Sequence, residues 1–123
     1  MNKKFYEGRI REYAKLHRIR LLYPDHNPDK NEGGQCGRTI WLGEFDDGEE
    51  LAAAFFHEVG HITDWRTSVG RNHRVTRFEH ELRAWTLGFE KMHLFGLDST
   101  KRMFRYMMDR LQTYNFLDNR YIE

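Results

Sequence analysis

The sequence predicts a small α+β fold, about four helices with a small antiparallel sheet of two to three strands. Three observations carry that reading. Several long segments place apolar residues at helical spacing, two short segments read as strands, and turn-forming residues separate them. A length of 123 residues suits one compact unit, so residues 1–123 are expected to form a single domain.

A first helix is expected from about Lys3 to Leu16, with Tyr6, Ile10 and Tyr13 at i, i+4 and i+7. Ile19 to Tyr23 reads as a strand ended by Pro24. Residues 24–37 are turn-formers and polar residues, and so are expected to be a loop. Asp25, Asn27 and Asp29 are spaced as in a calcium loop, but Lys30 stands where Gly is needed and Cys36 where Glu is needed, which excludes one. Arg38 to Gly43, with Thr39, Ile40, Trp41 and Leu42, reads as a second strand.

Asp46 lies three before Glu49, and Asp47 three before Glu50, so either pair can cap a helix expected from about Gly48 to Trp65. Residues 66–75 read as a loop. A third helix is expected from about Thr76 to Leu94, closed by Gly96, with Phe78, Leu82, Trp85, Phe89 and Met92 as its apolar stripe. A fourth, capped by Asp98 or Ser99, would carry Met103, Phe104, Met107, Met108 and Leu111 on one face.

Composition narrows the function classes. Nine Phe, six Tyr and three Trp can build a core without disulfides, and the single Cys36 excludes an intrachain one. Net charge is +1, from 20 basic and 19 acidic residues closely mixed, so no strong nucleic-acid signal is present. No apolar run approaches the roughly 20 residues that span a bilayer, and no membrane association is expected. An N-terminal apolar run of signal-peptide length is also missing, and a reducing, cytoplasmic setting is the expectation.

The chemistry concentrates at His57-Glu58-Val59-Gly60-His61. On a helix His57 and His61 are one turn apart, so both imidazoles leave the same face and can hold one Zn²⁺. Glu58 lies about 100° round the helix, placed to take a proton from water rather than to ligate. Random order would give this pattern in about three such sequences per hundred. Two further features lift it above chance. Leu51, Phe55, Val59 and Ile62 share the side opposite His57, while small Ala53, Ala54 and Gly60 surround the His pair and leave room for a cleft.

The second feature is a third ligand. With nineteen residues between it and His61, Glu81 borders the stripe of the next helix on the side shared with small Ala84 and Gly88. Those would let the two helices approach closely. Glu79 is the reserve ligand, and His80 is expected to point away from the stripe. Asp64, at i+3 from His61, reads either as an acceptor orienting His61 or as an exposed carboxylate near the helix end. His73, Tyr106 and Tyr114 are candidates to stabilise a developing oxyanion. Cys36 is a minor candidate for an inhibitory zinc ligand.

HEVGH followed by Glu81-x-x-Ala84 resembles the gluzincin class of metallopeptidases, although Trp85 stands where the thermolysin-like members place an Asp. The short chain, the strand before the helix and Glu-x-x-Ala look more like ImmA/IrrE-type peptidases. HEVGHITD is also similar to the HExGHxxD stretch of lethal-factor-like peptidases. The resemblance covers about residues 38–90. It implies a minimal zincin core, a zinc ion on His57, His61 and Glu81, Glu58 as general base, and hydrolysis of a peptide bond in a protein or peptide substrate. It also implies that the strand at 38–43 pairs with the substrate, with Trp41 either lining a subsite or in the core. The competing expectation is a zinc-stabilised binding module without turnover, either SprT-like and nucleic-acid-associated or a regulatory protein-binding domain. A third is a metal-free interaction domain.

Overall fold

The computed structural model describes residues 2–65, 75–114 and 121–122. Helix α1 spans Lys3–Leu16. It starts where the Asn2 side chain accepts the Phe5 N–H, and it buries Tyr6, Ile10, Tyr13 and Ala14. Strand β1 is Arg20–Leu22, β2 is Gly33–Cys36 and β3 is Thr39–Leu42. Helix α2, Gly48–Trp65, follows, with the Asp47 carboxylate accepting the Glu50 N–H at its start. Of the two possible caps, Asp47 is therefore the one whose side chain is used.

Beyond α2, β4 (Val75–Thr76) pairs antiparallel with β5 (Tyr121–Ile122). Helix α3 is Arg77–Leu94 and opens on the Thr76 hydroxyl, which accepts the Glu79 N–H. Gly96 closes it in the left-handed region, at φ 89°. Helix α4 is Lys101–Leu111. Its cap is Thr100, whose hydroxyl accepts the Met103 N–H, and not Asp98 or Ser99 as expected.

The α+β class holds, with four helices and a three-stranded sheet among the described residues, but the sheet is mixed. Its order is β1-β3-β2, with β1 parallel to β3 and β2 antiparallel to it. Strand β2 lies inside the expected loop. Its glycines explain both the disguise and the strand: a Cβ on Gly34 would lie 2.7 Å from the Trp41 ring, and one on Gly33 would lie 2.6 Å from Leu42. Only residues without side chains let β3's large side chains lie this close. The short β4 falls at the end of another expected loop, whose residues 66–74 lie outside the described set.

Helix α2 is the central element. Apart from Glu49, Glu50, His57, His61 and Thr63, its residues 48–64 are buried. Leu51, Phe55, Val59 and Ile62 join Ile10, Tyr13, Ile40, Leu42, Trp85 and Met103 in one core. Each such large side chain contributes roughly 1.5–3 kcal/mol by leaving water. The stripes of α3 and α4 are only partly used. Leu82, Phe104 and Met108 are exposed, while Tyr106, outside the expected stripe, is buried. Helix α4 is rolled so that Met103, Tyr106 and Leu111 face inward.

Candidate metal centre

Two backbone contacts set the distance between α2 and α3. A Cβ on Gly60 would sit 1.8 Å from the Ala84 carbonyl oxygen, and one on Gly88 would sit 2.1 Å from that of Phe56. The helices therefore touch backbone to backbone, and side chains flanking the contact are driven together. His57, His61 and Glu81 meet there.

His57 Nε2 lies 3.0 Å from Glu81 Oε1, and His61 Nε2 lies 3.1 Å from Glu81 Oε2. One ligand atom from each of the three can be chosen so that all lie within 4.8 Å of one another. Donors on a tetrahedral ion at 2.0–2.1 Å are separated by about 3.3 Å, close to the nitrogen–oxygen distances seen. Two imidazole nitrogens and one carboxylate also form a donor set that zinc accepts while keeping a position for water. The three residues lie near enough to hold a metal ion, and their donor set is one that zinc among others accepts. Glu79, the reserve ligand, is exposed and stands outside this group.

Glu58 is buried, with its Oε2 3.2 Å from His57 Nδ1. It thus supplies the acceptor that fixes which His57 nitrogen faces Glu81. Trp85 stacks on the same imidazole, with ring centroids 4.2 Å apart and planes 10° from parallel. Trp85, four residues after Glu81, therefore holds the His57 ring by its flat face.

Burial opposes a charge on His57, but the carboxylates of Glu58 and Glu81 outweigh it and push the imidazolium up to about 9 in the metal-free chain. Burial likewise opposes a charged Glu81, and the two imidazoles reverse the balance, holding its carboxyl well below the usual range.

A cavity of about 360 Å³ opens beside the cluster, lined among others by Ala54, His57, Glu58, Glu81, Tyr106 and Tyr114. Ala54 is the small residue that leaves this space. Of the three oxyanion candidates, His73 lies outside the described residues. Tyr106 lines the cavity, but its hydroxyl donates to the Asn31 carbonyl at 2.8 Å. Tyr114 also lines the cavity. Burial raises its phenol, and the Glu81 charge adds to this.

Strand β3 is the central strand and has neighbours on both sides, so it is not the one free to pair with a substrate. The outer edge of β2 carries no strand among the described residues, and Gly33 of that strand lines the cavity. Trp41 lies over Gly34, half-buried, and lines neither the cavity nor the core. Cys36 is an exposed thiol at the other end of β2 and is not among the cavity's lining residues.

Asp64 is 1% exposed, which removes the surface reading. Its carboxylate accepts Arg83 Nε at 2.9 Å and lies 3.5 Å from His80 Nδ1. Sequence reasoning turned His80 outward, yet its ring sits 4.9 Å from that of His61. Its nearness to Asp64 follows from the helix crossing, which no local pattern reports.

Compared with protein-family models, with curated proteins and with solved structures, the chain matches none of them.

Proposed function

We propose that the chain is a zinc-dependent peptidase, a minimal zincin that hydrolyses a peptide bond in a protein or peptide substrate. One observation supports this above the others: His57, His61 and Glu81 converge within reach of one ion, beside a cavity that Glu58 also lines. When bound there, zinc supplies Lewis acidity, lowering the pKa of water and polarising a carbonyl.

The chain's own groups do the rest. Glu58 braces His57 and takes the proton from the attacking water. As the carbon–nitrogen bond breaks, it returns that proton to the leaving amine. Partial burial of His57, Glu58 and Glu81 strengthens these interactions. The outer edge of β2 offers backbone groups to an extended peptide beside the cavity. An exposed free Cys36 accords with a reducing, cytoplasmic setting.

The test compares the wild type with Glu58→Gln for zinc content and for cleavage of a mixed peptide library read by mass spectrometry. Equal zinc with cleavage lost in the variant supports the reading. Equal zinc with no cleavage by either would move it to a zinc-stabilised binding module.

A further inference from the structure

Helix α3 supplies one ligand to a site otherwise built on α2, so its roll about its own axis decides whether Glu81 reaches the imidazoles. The small-residue contacts at Gly60 and Gly88 fix how near the helices lie. Buried Trp85 and Met92 anchor the helix from its middle onward, whereas in its first turns Glu79 and Leu82 are exposed and give no such hold. A contact to α2 beside Glu81 is what would steady that first stretch.

Resting on the zinc reading above, we propose that the Asp64–Arg83 pair is the clamp that holds α3 in register, making both residues positioning residues for the ligand Glu81. Asp64 is on α2, three residues past His61, and is buried. Its Oδ1 accepts Arg83 Nε at 2.9 Å, and its Oδ2 lies 3.5 Å from His80 Nδ1. His80 and Arg83 bracket Glu81 in sequence, one before it and two after. Both oxygens of one buried carboxylate thus face the short stretch of α3 that carries the ligand. The guanidinium donates from its Nε along a direction set by its plane, so the contact restrains rotation as well as distance. The Asp64 side chain is among the least exposed of the described residues, and the Arg83 that it holds is two residues from Glu81.

The test titrates the full chain with Co²⁺ alone, following the visible absorption of the bound ion, in wild type, Asp64→Asn, Arg83→Gln and the double variant. Thermal unfolding of each metal-free protein is recorded alongside. Arg102→Gln, which breaks the exposed contacts to Asp47, Glu49 and Glu50, is the control for loss of an ion pair elsewhere. Each single variant is expected to weaken Co²⁺ binding about 10- to 100-fold and to alter the absorption band. The double variant is expected to be no weaker than the worse single, because both residues act through one contact. Arg102→Gln is expected to bind as the wild type does. Affinities within twofold of wild type for both singles overturn the clamp, as do losses that Arg102→Gln reproduces. A wild type that binds no Co²⁺ instead overturns the metal site itself and the clamp with it.

Discussion

Gly60 of α2 faces Ala84 of α3 so closely that a β-carbon on Gly60 would lie 1.8 Å from the Ala84 carbonyl oxygen. The obstructing atom is backbone, so no side-chain rotation relieves it. Gly60→Ala must push the two helices apart and carry Glu81 away from His57 and His61. Overpacking of this kind costs about 1–3 kcal/mol, and more where a helix has to move. A lower unfolding temperature together with lost zinc is expected, measured by calorimetry and elemental analysis. Wild-type zinc content in this variant would show that the contact does not position the ligand.

The two acids at the start of α3 are expected to behave differently. Glu81→Gln replaces the carboxylate shared by both imidazoles and is expected to lower Zn²⁺ affinity by at least about 100-fold. Glu79→Gln, at an exposed position, is expected to change it by less than about twofold. Competition against a chromophoric chelator measures both. Equal losses would contradict the assignment.

The pH dependence follows from His57, pushed up to about 9 in the metal-free chain. The raised value means that pairing with Glu58 and Glu81 stabilises the metal-free fold fully below about pH 6.5, and that this is lost as pH rises through about 9. The lowered Glu81 acts at the other end, contributing above the usual carboxylate range and losing that contribution in acid. Zinc must displace the His57 proton, so apparent affinity should climb about tenfold per pH unit between pH 7 and about 9. Calorimetric titration in buffers of different ionisation enthalpy measures the proton released. A flat affinity with no proton release would contradict the raised value.

Tyr114 and Tyr106 separate by role. Tyr106 gives its hydroxyl to the Asn31 carbonyl, so Tyr106→Phe is expected to cost about 1 kcal/mol of stability. Tyr114→Phe is expected to lower turnover about 10²-fold with zinc content unchanged, as loss of an oxyanion donor would. Steady-state kinetics on a cleaved library peptide checks this, and unchanged turnover in Tyr114→Phe would remove it from the reaction.

The sequence made the helices legible because their spacing, and in places their punctuation, is local. Asp47 caps, Gly96 terminates, and Tyr6, Ile10 and Tyr13 recur at one face, although the threonine caps Thr76 and Thr100 were not legible. His57, Glu58 and His61 were legible for the same reason, being one turn of one helix. What failed depended on distant partners. Gly33 and Gly34 read as turn residues, because only the bulk of Trp41 and Leu42 opposite them explains their place in a strand. The parallel pairing of β1 with β3 has no local signal. Leu82 fitted a stripe by spacing, yet the roll of α3 that brings Ala84 and Gly88 against α2 leaves it exposed. That same roll brings His80 toward Asp64.

The convergence of two imidazoles and one carboxylate on a single ion is tested most directly by elemental analysis of chain purified without chelators, in wild type, His57→Ala and His61→Ala. About one zinc per chain is expected in the wild type, falling to background in both variants. A metal-free wild type, or a zinc content that survives loss of either histidine, would contradict it.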